Sequence, residues 1–123
     1  MSKEILIVDD NYQLTYAMIV LLEKMGYNAR GAISSSDALD LISKQKFDII
    51  LTDLEMPNLT GLELCRKIRK HEIDQRSGDR ATILAFSAFT AEFGVEKLEE
   101  VGFDGWIDKP ITREKMEEFL KDF

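Results

Sequence analysis

The chain has 123 residues, a length that suits one domain spanning residues 1–123, and its 45% hydrophobic and 32% charged residues are typical of a folded globular protein. A formal net charge of −7 argues against non-specific binding to a polyanion such as DNA. The sequence predicts neither a signal peptide nor a membrane span, and its one cysteine, Cys65, is consistent with a reducing compartment. We therefore expect a cytoplasmic protein that binds neither nucleic acid nor membrane.

Apolar runs and amphipathic stretches alternate along the first half of the chain. Residues 5–8 (ILIV) are too few for a helix and rich in β-branched side chains, which is typical of a strand buried in a parallel sheet. A strand over 28–32 and a helix through about Lys44, capped by the serines at 34–36, come later. Between these strands a helix ending at a C-cap on Gly26 is predicted, because six apolar residues recur at helical spacing: Leu14, Ala17, Met18, Leu21, Leu22 and Met25.

The same alternation continues in the second half. Residues 47–52 are predicted to form a strand, and a loop with Pro57 and Gly61 leads to a helix with Cys65 as a core residue. The polar segment 71–80, which contains His71, is predicted to be an exposed loop. The remaining predicted elements are a strand over 81–86, a helix over 91–101, a strand over 104–107, and a helix capped by Thr112 with apolar residues at Met116, Phe119, Leu120 and Phe123.

Five such β–α repeats predict an α/β fold with a parallel sheet and right-handed crossovers. In open parallel sheets, ligands bind beyond the carboxyl ends of the strands, where the strand order switches. Polar residues follow four of the predicted strands at these ends: Asp9 and Asp10, Asp53, Ser87, and Lys109. We expect these side chains to meet in one pocket.

The residue types in this pocket indicate phosphoryl chemistry with a bound cation. Two carboxylates about 4 Å apart repel by roughly 4 kcal/mol at an effective dielectric constant near 20, so a cluster of three must take up protons or hold cations. Carboxylate oxygens at a wet site suit Mg²⁺. Lys109 can pair with Asp53 or with a phosphoryl oxygen, to which Ser87 can also donate a hydrogen bond. An aspartate can act as a nucleophile and form an acyl phosphate.

At four places the sequence resembles the receiver domains of two-component response regulators. The matching segments are ILIVDD at 5–10, DLEMPNLTG at 53–61, SA at 87–88 and KP at 109–110. Each short motif alone is weakly specific, but the four occur in order over essentially the whole chain. The resemblance implies a doubly wound, flavodoxin-like sheet of five parallel strands in the order 2-1-3-4-5, with five helices.

The resemblance also implies a role for each acidic residue of the pocket. Asp53 would be the phospho-acceptor. Asp9, Asp10, Asp53 and the backbone carbonyl of Glu55 would hold Mg²⁺. The side chain of Glu55 is expected to affect metal affinity or the lifetime of the phosphoryl group. The simpler alternative for Asp9 and Asp10 is that they cap the following helix.

Assignments for the phosphoryl group and for the switch follow from the same resemblance. Ser87 and Lys109 would bind the phosphoryl group, and the bond between Lys109 and Pro110 would be cis. Ser87 and Trp106 would be the switch residues, whose movement alters the face formed by the fourth helix, fifth strand and fifth helix. The alternative for Trp106 is ordinary packing on a short strand.

The implied function is a phosphoprotein of two-component signal transduction. A histidine kinase or histidine phosphotransfer protein would donate a phosphoryl group to Asp53, and the protein would then regulate a downstream target protein or pass the group on. It would catalyse only its own phosphorylation and dephosphorylation, as a monomer or weak dimer. Motor control of the chemotaxis kind, a phosphorelay step and a receiver from a hybrid kinase remain open, although Met1 just before the first strand favours a free-standing protein.

Two other functional classes fit the sequence less well. A Mg²⁺-dependent phosphatase with an aspartyl nucleophile would carry Asp-x-Asp after the first strand and a cap over its site. Here Asp9 and Asp10 are adjacent, and no segment is long enough to form a cap. A flavoprotein of similar topology would need a Ser-, Thr- or Gly-rich phosphate loop where this chain has Asp10-Asn11-Tyr12, and that class is rejected.

Overall fold

The computed structural model describes residues 3–56, 60–75, 78–88 and 93–123, and within them strands and helices alternate. The strands are Glu4–Val8 (β1), Asn28–Ala32 (β2), Ile49–Asp53 (β3), Thr82–Ser87 (β4) and Gly105–Asp108 (β5). The helices are Tyr12–Lys24 (α1), Ser35–Lys44 (α2), Gly61–Gln75 (α3), Val95–Val101 (α4) and Arg113–Leu120 (α5). All strand pairs are parallel and the order is β2-β1-β3-β4-β5, so the predicted doubly wound fold is confirmed.

Each strand sends alternate side chains to opposite faces of the sheet. In β1, Leu6 and Val8 lie on the face covered by α2, α3 and α4, whereas Ile5 and Ile7 lie on the face covered by α1 and α5. Each large apolar side chain buried in this way contributes about 1.5–3 kcal/mol to stability. Because β1 and β3 are buried on both faces, each contains a continuous apolar run, at residues 5–8 and 49–51, rather than an alternating pattern.

The helix caps follow the sequence closely. The side chains of Ser34 and Thr112 accept hydrogen bonds from backbone amides of α2 and α5, which confirms the two predicted caps. The cap of α1 is Asn11, not Asp9 or Asp10. At the other end of α1 the C-cap is Met25, so the expected C-cap on Gly26 is one residue off; Gly26 follows with a φ of 99°.

The assignment of 71–80 to an exposed loop is wrong for its first half, because α3 continues to Gln75. This last part of α3 is polar, so no apolar periodicity marks it as helical. It is held instead by Glu72, which pairs with Arg69 at 2.9 Å and accepts a hydrogen bond from the backbone amide of Ala81 at 2.7 Å.

Smaller differences from the predicted elements have equally local causes. In α1, Ala17 is exposed, and the buried face instead includes Thr15, whose hydroxyl reaches the backbone oxygens of Asp9 and Asn11. Phe123 lies beyond the end of α5, although its ring contacts Phe119 edge to face. Three strands, β3 to β5, start and end one or two residues later than predicted; their ends are later because the backbone ladder continues onto polar residues.

Some predicted features lie outside the described residues. These are Met1, Pro57 and residues 91–92 of the predicted fourth helix, which begins at Val95 in the structure. Among the described helices, none combines the length and the apolar character needed to cross a membrane.

Candidate functional site

The predicted site residues lie at the carboxyl edge of the parallel sheet. Asp9 directly follows β1, Asp53 and Ser87 are the last residues of β3 and β4, and Lys109 directly follows β5. β1 and β3 are neighbours, but the chain goes from β1 to β2 on one side and from β3 to β4 on the other. This edge is therefore the switch in strand order, where open α/β sheets bind ligands.

Three carboxylates meet at this edge. Asp9, Asp10 and Asp53 each offer one oxygen, and the three oxygens lie within 4.8 Å of one another. Asp9 is 1% exposed and Asp53 is also buried, whereas Asp10 is exposed. The predicted clustering of these residues is present in the structure.

The two carboxylate oxygens of Asp9 differ in their hydrogen bonding. Its Oδ1 accepts a hydrogen bond from the Asn11 amide at 2.9 Å, whereas Oδ2 accepts none from the described residues. Lys109 Nζ lies 3.6 Å from Oδ2, a distance for an ion pair rather than a hydrogen bond. Burial raises the pKa of the Asp9 carboxyl; the charge of Asp53 also raises it, while the Asn11 amide and Lys109 oppose the shift. A buried, unsatisfied oxygen beside two further carboxylates fits the binding of a hard divalent cation such as Mg²⁺.

Asp53 is held at both carboxylate oxygens. Its Oδ1 accepts a hydrogen bond from the Glu55 amide at 3.1 Å, and its Oδ2 accepts one from Lys109 Nζ at 3.2 Å. Lys109 is in turn fixed by its own amide, which donates to the Ser87 carbonyl at 2.7 Å, and its ammonium lies 5.2 Å from the centroid of the Phe86 ring. The Lys109–Pro110 peptide is cis, as the resemblance implied.

The first residue of α3, Gly61, lies tightly against the backbone of Asp53. A Cβ atom placed on Gly61 would lie 2.2 Å from the Asp53 carbonyl oxygen and 2.9 Å from the Leu54 Cα. Only glycine allows this approach. The prediction of Gly61 as a loop residue is wrong by one position, because Gly61 begins α3, and the contact with the backbone of Asp53 was not predicted.

The side chain of Glu55 contacts Ser87. Its Oε1 lies 3.2 Å from the Ser87 Oγ, and Ser87 is fully buried while Glu55 is exposed. The sequence pointed to the backbone carbonyl of Glu55 as a metal ligand and did not predict this side-chain pair. Trp106 is half-buried and packs against the core on the α2–α4 face, with its backbone paired with Ala85.

A family model described as the response regulator receiver domain matches residues 5–121. The chain belongs to the response regulator receiver domain family. This receiver is 31% identical, over 98% of its length, to hybrid signal transduction histidine kinase L of Dictyostelium discoideum, of which it spans 7%. It is 28% identical, over 100% of its length, to the polar-differentiation response regulator DivK of Brucella ovis and spans 97% of that protein.

The chemotaxis response regulator CheY4 of Vibrio cholerae has a similar structure, with a TM-score of 0.88 and 26% identity over 99% of this receiver and 98% of that chain. The family match favours the receiver interpretation over the phosphatase and flavoprotein classes. Mg²⁺ binding and phosphorylation are typical of the family.

Proposed function

We propose that this receiver, as one domain over residues 1–123, is a cytoplasmic signalling switch activated by phosphorylation of Asp53. The observation that carries the proposal is the position of the Lys109 ammonium, 3.2 Å from Asp53 Oδ2 within the cluster of carboxylates. A carboxylate there can attack phosphorus, and a fixed cation beside it can stabilise the phosphoryl oxygens.

Each residue of the site has its own proposed role in phosphoryl transfer. Mg²⁺ held by Asp9, Asp10, Asp53 and the Glu55 carbonyl would neutralise charge on the transferred group. An oxygen of Asp53 attacks the phosphorus of a phosphohistidine; the P–O bond forms as the P–N bond breaks, and the electron pair leaves with the imidazole. Lys109 then pairs with a phosphoryl oxygen instead of Asp53.

Ser87 supplies the second donor to the phosphoryl group. Its hydroxyl donates to a phosphoryl oxygen, and this movement is the proposed trigger of the switch. Ser87 pairs with Asp108 and Ala85 pairs with Trp106 in the β4–β5 ladder, so the trigger lies close to the ring proposed to repack. The face formed by α4, β5 and α5 changes as a result and regulates a target protein, or the phosphoryl group is passed on.

The phosphodonor is proposed to be a histidine kinase or a histidine phosphotransfer protein, the proteins with which receivers interact. Two exposed rings support a protein contact close to the site. Tyr12 and Tyr16 are 70% and 61% exposed and lie four residues apart on α1, whose first residue follows Asn11. Beyond its own phosphorylation and dephosphorylation, we propose no catalytic activity, and we expect a monomer or weak dimer.

The test is the intact mass of the protein after incubation with acetyl phosphate and Mg²⁺. The native chain should gain one phosphoryl group, whereas Asp53→Asn should gain none, and omission of Mg²⁺ should abolish the adduct. An adduct of equal yield on Asp53→Asn would refute the assignment of the acceptor. A folded native chain that gains no mass even within seconds of mixing would refute the receiver chemistry.

A further inference from the structure

In the proposed function, the Ser87 hydroxyl donates a hydrogen bond to the phosphoryl group. In this structure the same hydroxyl donates to Glu55. The Ser87 Oγ and the Glu55 Oε1 are 3.2 Å apart. An ionised carboxylate can only accept hydrogen bonds, whereas a serine hydroxyl has a single proton to donate, so Ser87 is the donor in this pair. While that proton is donated to Glu55, it is not available to an oxygen bound to Asp53.

The backbone holds Glu55 where its carboxylate can reach Ser87. The Glu55 amide donates to Asp53 Oδ1 at 3.1 Å, and the side chains on either side of it, Leu54 and Met56, are buried in the core. These anchors fix the backbone of Glu55 and leave its own side chain exposed. The turn that presents the phospho-acceptor therefore also presents a competing acceptor for the switch hydroxyl.

We propose that Glu55 is a positioning residue that acts as a latch, holding the Ser87 hydroxyl away from Asp53 until a phosphoryl group displaces it. The inference rests on the proposed function, because it takes Asp53 as the site of the phosphoryl group. The latch disfavours the phosphorylated state in two ways. The hydrogen bond to Ser87 must break, and the charge of Glu55 then faces the negative phosphoryl oxygens.

The two contributions can be separated with two variants of Glu55. Glu55→Gln removes the charge but keeps an acceptor oxygen for Ser87, whereas Glu55→Met removes both at similar length. Beryllofluoride with Mg²⁺ serves as the probe, since it mimics a phosphoryl group on a carboxylate, and its bound fraction is measured by ¹⁹F NMR. Loss of one net hydrogen bond should make Glu55→Met bind beryllofluoride about fivefold more tightly than Glu55→Gln.

The Ser87→Ala background provides the control, because without the hydroxyl only the charge of Glu55 remains. In that background the two variants should bind beryllofluoride equally. Equal affinities of Glu55→Met and Glu55→Gln in the presence of Ser87 would overturn the latch and leave the proposed function intact. Absence of binding by the native chain, or binding that survives Asp53→Asn, would overturn the proposed function and the latch together.

Discussion

Replacing the buried carboxylate of Asp9 tests whether the acidic cluster is strained in the absence of a metal. In Asp9→Asn, the amide oxygen can still accept the hydrogen bond from the Asn11 amide, and Lys109 keeps its partner Asp53. What disappears is a buried charge whose Oδ2 has no hydrogen bond from the described residues. The amide NH₂ that takes the place of Oδ2 is also polar, but unlike a carboxylate oxygen it can donate a hydrogen bond to the carboxylates of Asp10 and Asp53 in the same cluster. A buried acceptor left unsatisfied costs about 1–3 kcal/mol, so in a metal chelator the variant should be more stable than the native chain by about that amount.

The stability difference between Asp9→Asn and the native chain should also depend on pH, which provides a second test. Burial raises the folded-state pKa of Asp9 above its ordinary value, so the folded protein binds this proton more tightly than the unfolded chain does. The native chain therefore loses stability relative to the variant as pH rises through the raised pKa, and the difference is absent at pH values below the ordinary carboxyl range. The advantage of Asp9→Asn should be larger at about pH 8 than at about pH 4.

Urea denaturation with and without Mg²⁺ measures these differences. With Mg²⁺ at about 100 times its dissociation constant, the free energy of unfolding of the native chain should rise by about 2.7 kcal/mol and that of Asp9→Asn by much less. The stability advantage of the variant should then shrink or reverse. Asp10→Asn is the matched control, because Asp10 belongs to the same cluster but is exposed, and its stabilising effect in chelator should be smaller. An Asp9→Asn protein that is no more stable than the native chain in chelator at about pH 8 would refute the reasoning.

Three further substitutions test other parts of the structure. Gly61→Ala should cost about 3 kcal/mol or more, measured by urea denaturation, because its Cβ would meet backbone atoms of Asp53 that cannot move aside; a cost below about 1 kcal/mol would contradict this contact. Arg69→Met should cost about 2–4 kcal/mol, since it strips partners from two half-buried carboxylates and two carbonyls, whereas the exposed Lys44→Met should change stability by less than about 0.5 kcal/mol. Lys109→Met should tighten Mg²⁺ binding about tenfold by calorimetry, because a competing cation is removed; weaker binding would count against the competition.

Most of the fold can be predicted because its apolar pattern and its caps agree. β1 is a short apolar run that only a buried strand explains, and Ser34 and Thr112 mark two helix starts by their side-chain chemistry. The end of α3 cannot be predicted in this way, because it depends on a contact between Glu72 and the amide of Ala81, nine residues along the chain. Tertiary contacts of this kind leave no local periodicity.

One part of the site can likewise be predicted from the positions of the strand ends, whereas another part depends on side-chain packing. The meeting of Asp9, Asp53 and Lys109 follows from the parallel sheet, since residues at the carboxyl ends of its strands must be close together. The contact between Glu55 and Ser87 depends instead on one rotamer above the sheet, and a sequence pattern holds no information about it.

The β4–β5 ladder explains why a change at Ser87 should reach the face proposed to carry the signal. At the site end, the Lys109 amide donates to the Ser87 carbonyl at 2.7 Å. At the opposite end, Asp104 is held by Arg69 at 2.7 Å, and its own amide donates to β4 at 2.8 Å. Asp104 fixes the start of β5. We therefore expect a shift of Ser87 to move the carboxyl half of β5 rather than its start. Trp106 lies between these two ends and its ring is half-buried, so the proposed movement of Ser87 would reach this ring through the ladder.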